Sequence, residues 1–417
     1  MKPVYIAGTF MTHFGKRPDV SLKQLVKEAV EGVLRDANAQ ASQIEVAFFA
    51  NGFQDFVEGQ TNIPGQIALR AAGLHSLPIV NIENACASGS TAVWLAMRYL
   101  QSGAGDIALA VGAEKMHYQD AEHNKRVMEA FRGGMDIHQI DETFERLMKL
   151  GGKLPPSDVE IGHRTAFMDL YAAMCRAGMK KDGCTQRQIA AVASKNHAHS
   201  VYNPNAQFQK PFSIDEVLAS RPLSFPLTVL MCSPFSDGAA AAILCTKRGA
   251  EKLNLAGAPI KILAHELVSG ADREWDDVQN SGVYRAAQKA YTTAGIGPED
   301  IDLAEVHDAT AWGEIAVLDK LGFCKPGEAG LMAESGATSI GGHIPVNPSG
   351  GLESRGHPIA ATGLAQLYEL TTQLRGQAGR RQVEGARIAL QENGGGFLGV
   401  EEGAAIVSIL ERSTSWA

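Results

Sequence analysis

Residues 26–51, VKEAVEGVLRDANAQASQIEVAFFAN, and residues 283–308, VYRAAQKAYTTAGIGPEDIDLAEVHD, lie over one another without a gap at an offset of 257 positions, from Val26 to Val283. Val26/Val283, Ala29/Ala286, Ala37/Ala294, Ile44/Ile301 and Ala47/Ala304 coincide. Each copy reads as an amphipathic helix, a turn and a short buried strand. Two further pairings follow in the same order: CASG (86–89) with AATG (360–363), each opening a helix, and DIALAVG (106–112) with RIALQEN (387–393), each a buried strand. Three matches in register predict two structurally similar halves. Between them, residues 117–225 are rich in His, Lys, Met, Asn and Gln and read as a mostly helical and loop insertion, after which SPFSDGAAAAILC (233–245) returns the chain to the first half. The expected architecture is α/β, with two doubly wound halves packed face to face. The first half takes residues 1–116 plus 226–257, the second takes 258–417, and 117–225 forms a loop domain laid over them.

Composition sets the outer bounds. At roughly 150 residues per domain, 417 residues predict two or three domains' worth of core. A 45% hydrophobic, 20% charged chain with 44 glycines favours close α/β packing over disorder. The net charge of −8 and the lack of any Lys/Arg block argue against a nucleic-acid or membrane surface. No apolar run approaches the ~20 residues of a transmembrane helix, and the N-terminus reads as a strand entering a loop rather than a signal peptide. The expected location is therefore cytoplasmic. The six cysteines show neither CxxC nor dense spacing, so free thiols are expected, without a disulfide framework or zinc cluster.

Four stretches carry candidate chemistry. In NIENACASGSTAVWLAM (81–97), Cys86 follows the predicted strand Ile79 to Ile82 and opens a helix. Unpaired backbone N–H groups there favour a thiolate, and small neighbours leave room for an acyl group. In NPSGGLESRGHPIAATG (347–363), Pro358 places His357 at a loop-to-helix junction. By the pairing of CASG with AATG this junction is the counterpart of the one bearing Cys86, so the thiol and imidazole can face each other as an activated nucleophile requires. In EVHDAT (305–310), His307 and Asp308 end a buried strand at the edge where α/β sheets place ligands. His307 can donate to an oxyanion, with Asp308 holding its orientation. Finally, QENGGGFLG (391–399) formally contains G-x-G-x-x-G, but the strand that follows leaves no βαβ unit for a dinucleotide. A glycine turn offering backbone N–H is the better reading. His117, His123, His197 and His199 show no metal-ligand spacing and read as loop-domain surface or ligand contacts, and Cys232, Cys245 and Cys324 as inert core thiols.

Taken together, ENACASGS, VGAEKM (111–116), SPFSDGAAAAIL, GGLESRGHPIAATG and NGGGFLG resemble, in order and over nearly the whole chain, the sequence blocks of the thiolases. His307-Asp308 in place of Asn-Glu-Ala-Phe is similar to the sterol-carrier-protein-type and related archaeal and bacterial branch. The resemblance implies the five-layered thiolase fold and a Claisen or retro-Claisen acyl transfer on 3-ketoacyl-CoA. Coenzyme A thioesters would be the substrates, with no metal or redox nucleotide. Cys86 would be the nucleophile, His357 its activator, and His307 with His357 the donors to the enolate. The backbone N–H groups of Cys86 and Gly394 would form an oxyanion hole, and Gly395, Gly356 and Ser233 would contact the acyl-CoA. The second cysteine of common thiolases is replaced by Glu392, and the sterol-carrier-type alternative position by Ala309. Proton transfer at the α-carbon would then fall to Glu392, with its pKa raised by an apolar setting, or to His307. Decarboxylating ketoacyl synthases share the Cys-His-His set, but the GHP block argues against them. Two further readings are acyl transfer to another carbon nucleophile or aldol-type cleavage of a CoA ester, and a subunit active only with a small OB-fold, zinc-ribbon partner. The resemblance also implies a homodimer or dimer of dimers paired through LPIVNIEN (77–84).

Overall fold

The computed structural model describes residues 2–152 and 165–414; residues 153–164 of the predicted loop domain lie outside the described residues. The strands in chain order are β1 (Tyr5–Met11), β2 (Val46–Ala50), β3 (Ile79–Ile82) and β4 (Ile107–Glu114). They continue as the short hairpin β5 (Pro222–Ser224) and β6 (Leu227–Thr228), then β7 (Gly238–Cys245), β8 (Ile260–Ser269), β9 (Leu303–Glu305), β10 (Ile388–Gly395) and β11 (Ala404–Arg412). Apart from the hairpin, their order is β3-β2-β4-β7-β1-β8-β11-β10-β9.

This order contains the same pattern twice. In the first half β2 runs parallel to β3 and β4, and β7 runs antiparallel to β4 and β1. In the second, β9 runs parallel to β10, and β11 runs antiparallel to β10 and β8. A parallel bridge between Ala304 and Val346 stands where β3 stands in the first half. The two sets of strands touch through two residue pairs, Tyr5 with Lys261 and Ile6 with Ile260. The expectation of two similar α/β halves is met, with their sheets sharing that short edge contact.

Helices form three layers around the two sheets. Helix α1 (Leu22–Asp36) starts at a capping box made by Ser21 and Gln24 and buries Leu25, Val26, Ala29 and Val33 on the outer face of the first sheet. Helix α2 (Ser88–Ser102) contributes Ala92, Val93, Ala96 and Leu100 to a central core between the sheets. Helix α3 (Gly282–Ala294), capped by Ser281, buries Val283, Ala286 and Ala290 outside the second sheet. Helix α4 (Thr362–Leu374) adds Leu364, Leu367 and Leu370 to the central core. The repeated residues Val26/Val283 and Ala29/Ala286 thus occupy equivalent outer cores, each buried to within 1%. The insertion consists of helices such as Ala121–Ala130, Ile140–Gly151, Ala166–Asp182 and Gln186–Ser200. Among the described residues no helix is long and apolar enough to cross a membrane.

The central layer is tight because α2 and the turn before α4 nearly touch. A Cβ on Gly89 would lie 2.5 Å from the Ala360 carbonyl oxygen, and one on Gly112 would collide with the same carbonyl. One on Gly363 would collide with Ser90 Oγ. Helix propensity favours alanine over glycine at position 89 by ~0.5–1 kcal/mol, whereas overpacking typically costs ~1–3 kcal/mol, so the clash decides. Gly89→Ala should therefore lower the urea midpoint at unchanged slope. An unchanged midpoint would mean that the two helix starts separate freely.

Candidate active site

Cys86 lies in a 3-10 turn, Ala85–Ala87, that joins β3 to α2. The turn needs Ala85 at φ +47, a left-handed value that non-glycine residues adopt only where neighbours enforce it. Here the enforcement is visible. The Asn84 N–H donates to Ser88 Oγ at 2.8 Å, and that hydroxyl donates to the Ala85 carbonyl at 2.6 Å. Asn84 Nδ2 also reaches Thr91 Oγ1 at 3.0 Å. The end of β10 presses on the same turn, since a Cβ on Gly395 would lie 2.5 Å from Ala87 N.

His357 faces the thiol, with Nε2 3.2 Å from Cys86 Sγ. Its protonation follows from its other partner. Thr362 Oγ1 donates its single proton to the Pro358 carbonyl at 3.1 Å, so at 2.6 Å from His357 Nδ1 it accepts. Nδ1 thus carries the proton and the Nε2 lone pair is left to take the proton of Cys86. His307 has the opposite tautomer. Asn393 Nδ2 donates to His307 Nδ1 at 3.1 Å, with the amide orientation fixed by Ser90 Oγ, 2.7 Å from Asn393 Oδ1. The proton then sits on Nε2 as a donor. The two rings meet edge to face with centroids 5.2 Å apart, and one ligand atom from each of Cys86, His307 and His357 lies within 4.8 Å of the others.

Burial sets the charge state. It pushes the Cys86 thiol up to about 12, with the Glu114 and Glu83 carboxylates adding to the effect. The backbone N–H at the turn opposes this but loses to burial. His357 is held well below its ordinary value by burial, by His307 and by the Arg355 guanidinium, and His307 is lowered to about 3 by burial and Arg355. The resting pair is therefore thiol and neutral imidazole. This corrects the expectation of a thiolate stabilised by the helix start.

The three side chains line a cavity together with Gly394, Gly395 and Glu402, under aromatic walls that include Phe131 and Tyr171. A second cavity shares Met168 and Ser233 with the first and has Arg221 in its wall. Gly394 lies in β10 opposite Ala405. Gly356, at φ +109, packs where a Cβ would fall 2.7 Å from Ser236 Oγ, and that hydroxyl accepts from the His357 N–H at 3.0 Å.

Two sequence candidates act elsewhere than expected. Asp308 does not hold the His307 ring, which Asn393 does. Its oxygens accept from the Leu352 N–H at 2.8 Å and from Asn196 Nδ2 at 3.0 Å, anchoring the loop that leads to His357. Glu392 stands behind His307, accepting the His307 N–H at 2.8 Å, and is not part of the cavity wall. Burial and the nearby Glu402 raise it to about 8. His197 and His199, read as surface or ligand contacts, are buried. His197 bonds Ser354 Oγ at 2.9 Å while lining the second cavity, and His199 bonds the Asn347 carbonyl at 3.0 Å. Cys232 lines that cavity too; all six cysteines are free.

Sequence reasoning missed Thr362, Asn393 and Glu402. The first two lay inside quoted motifs, and their signal was spacing: Thr362 follows His357 by five residues, one turn into the helix start. Glu402 lies in the turn beyond the glycine run, where no motif marked it.

A sheet-and-helix sandwich brings a Cys-His pair beneath a second imidazole, an arrangement suited to a thiol nucleophile. A solved structure described as "Ltp2-ChsH2(DUF35) aldolase" shares the fold with a TM-score of 0.76, covering 100% of this chain and 99% of that one at 21% identity. The family profile "Thiolase, N-terminal domain" matches residues 4–218, and "Thiolase C-terminal domain-like" matches 266–412. Sterol carrier protein 2 of Bos taurus is 38% identical over 94% of this chain and 69% of its own length. Acetyl-CoA acetyltransferase of Methanothermobacter thermautotrophicus is 36% identical over 99% and 100%. Benzoylsuccinyl-CoA thiolase subunit BbsB of Thauera aromatica is 32% identical over 95% of each. The chain belongs to the thiolase family of acyltransferases.

A thiol held up near 12 beside a neutral imidazole makes a direct prediction. The rate of Cys86 alkylation by iodoacetamide, followed by mass spectrometry, should keep rising above pH 8. A high plateau from pH 5 to 8 would instead reveal a thiolate-imidazolium pair.

Proposed function

We propose that the protein is a CoA-dependent acyltransferase that breaks or forms the carbon–carbon bond of a 3-ketoacyl-CoA through a Cys86 acyl-enzyme. One observation carries this reading: the Nε2 lone pair of His357 faces Cys86 Sγ at 3.2 Å while its Nδ1 proton is committed to Thr362. As Sγ attacks the keto carbon, its proton moves to His357 Nε2. The carbon–carbon bond then breaks, leaving the acyl group on Cys86 and releasing the enolate of a shorter acyl-CoA. His307 Nε2–H and the now cationic His357 stabilise that enolate oxygen. The N–H groups of Cys86 and Gly394 serve the tetrahedral intermediates, and CoA thiolate removes the acyl group.

The second cavity, with Ser233 at its inner end and Arg221 in its wall, suits the pantetheine arm and a phosphate of CoA. Residues 117–225 would act as the loop domain that builds this cavity. The edge strand β3, with Val80 42% exposed, suits a homodimer interface. A second reading rests on Cys86 being the single cysteine in the wall of the first cavity. Acyl transfer to another carbon nucleophile, or aldol-type cleavage of a CoA ester, requires no second thiol. An acyl-enzyme that forms but resists CoA would favour the former, and cleavage of a 3-hydroxyacyl-CoA without any Cys86 adduct the latter; activity only on addition of a small OB-fold, zinc-ribbon protein would mark the chain as one subunit of a pair.

Intact-protein mass spectrometry after mixing with a panel of 3-ketoacyl-CoA thioesters should give a Cys86 adduct in wild type that added CoA discharges. Cys86→Ala should give none. His357→Gln should slow adduct formation by ~10²- to 10⁴-fold, the usual worth of a positioned base. Substantial turnover by Cys86→Ala would end the proposal.

A further inference from the structure

Claisen chemistry needs a group that exchanges a proton with the α-carbon, and the first cavity offers a short choice. Its titratable side chains are Cys86, His307, His357, Tyr171 and Glu402. Cys86 is the nucleophile and His357 Nε2 takes its proton. His307 accepts from Asn393 and presents a donor, so it has no free lone pair with which to take a proton. Burial holds the Tyr171 phenol well above its ordinary value, too weak an acid to protonate readily and too costly to ionise as a base. Glu402 remains.

Its placement is built by the turn between β10 and β11. Leu398 and Glu401 exchange backbone hydrogen bonds of 2.8 and 3.1 Å across that turn, and the Gly403 N–H donates to the Gly396 carbonyl at 3.3 Å. The neighbouring Glu401 turns away from the cavity, where its carboxylate meets Arg273 Nε at 2.6 Å and the Gly282 N–H at 3.0 Å. Glu402 turns the other way. Its side chain lies across Gly394, where an added Cβ would fall 2.6 Å from Glu402 Cγ and 3.0 Å from Oε1. Among the described residues no salt bridge holds the Glu402 carboxyl, whereas its neighbour Glu401 is tied to Arg273. Glycine at 394 thus has a second reason: it admits this carboxyl to the cavity that holds the nucleophile.

Given the Claisen reading, we propose that Glu402 is the acid–base residue that moves the α-proton. In the cleavage direction its carboxyl gives a proton to the α-carbon of the enolate, completing the released acyl-CoA. The carboxylate so formed takes the thiol proton of the incoming CoA, whose thiolate attacks the acyl-Cys86 carbonyl. Cys86 leaves as thiolate and regains its proton from His357. In the condensation direction the Glu402 carboxylate removes the α-proton. Burial raises Glu402 above the ordinary carboxylate range, with Glu401 adding to it against the opposing pull of Lys320 and Arg273. That favours both steps near neutrality.

The test separates proton transfer from acyl transfer. Acylation of Cys86 by the S-phenyl thioester of acetate needs no α-proton, and its thiophenolate leaves without one. Exchange of α-hydrogens for deuterium in acetyl-CoA, propionyl-CoA and phenylacetyl-CoA, read by mass spectrometry in D2O, reports the α-proton step alone. Wild type should do both; in Glu402→Gln the exchange rate should fall at least ~10²-fold further than the acylation rate. Failure of wild type to acylate would overturn the proposed function itself. Acylation without exchange in wild type, or exchange by Glu402→Gln at the wild-type rate, would overturn the role of Glu402 alone. So would loss of exchange in Glu392→Gln with retention in Glu402→Gln.

Discussion

Everything in the site depends on how closely two helix starts pass one another. The turn leading into α2 carries Cys86, and the turn leading into α4 follows His357. Gly89 and Gly112 on one side leave no room beyond the Ala360 carbonyl, and Gly363 on the other leaves none beyond Ser90. A side chain at any of these positions would push the turns apart by more than the 3.2 Å contact between Cys86 and His357 tolerates. The geometry of the Cys86–His357 pair is therefore set by absent Cβ atoms in the central layer. The cores on the two outer faces hold the sheets; the small residues between them hold the chemistry.

That proximity is bought with a dry, charged interior. Arg355 is fully buried and pairs with the equally buried Glu305 at 2.9 Å, while Ser349 supplies two further hydrogen bonds to that carboxylate. A buried pair of this kind contributes little net stability. Its effect here is electrostatic, because the Arg355 cation lies close enough to lower both His307 and His357. Nearby, Lys195 contacts Glu314 at 3.0 Å, Asn196 bonds Asp308 at 3.0 Å, and Ser200 bonds Ser354 at 2.6 Å. These contacts fasten the helix Gln186–Ser200 to the segment beyond β9 that holds Asp308 and Glu314 and, through Ser354, to the short helix Gly351–Arg355 just before His357. Residues 186–200 are thus anchored by polar side chains to the segments that carry Asp308 and lead to His357.

Much of this was legible before any coordinates, for a physical reason. The repeat shows in Val26/Val283 and Ala29/Ala286 because each faces an outer core in which only small or branched apolar residues fit. Cys86 and His357 show because their neighbours are small for steric cause, a pattern chemistry and packing both require. What stayed hidden depends on direction rather than identity. Asp308 sits beside His307 in sequence, yet backbone geometry sends its carboxylate to Leu352. Glu392 and Glu402 are both glutamates near the glycine run, and strand alternation with the β10–β11 turn decides which one meets the cavity. The charge state of Cys86 was misjudged since a helix start is local and readable, whereas burial and the Glu114 carboxylate come from distant segments.

A pseudo-symmetric fold offers two equivalent helix starts, and the differences between them explain why one carries the chemistry. By the repeat, Ala360 is the counterpart of Cys86, Asn51 of Asp308 and Glu114 of Gly395. Asn51 and Asp308 do equivalent work, each tying the loop beyond its strand to a neighbouring segment: Asn51 Nδ2 bonds the Ala113 carbonyl at 2.8 Å, and Asp308 takes the Leu352 N–H. Glu114 and Gly395 do opposite work. Glu114 fills its position with a carboxylate that accepts from the Gly52 and Phe53 N–H groups at 3.0 and 3.1 Å. Gly395 carries no side chain at the corresponding position, so the Cys86 turn packs directly on the strand end, with a Cβ there falling 2.5 Å from Ala87 N. A side-chain difference at a pseudo-equivalent position thus lets the turn of the first half close onto the strand end of the second, and the cavity between them is lined by Cys86 from one half and by His307, His357 and Glu402 from the other.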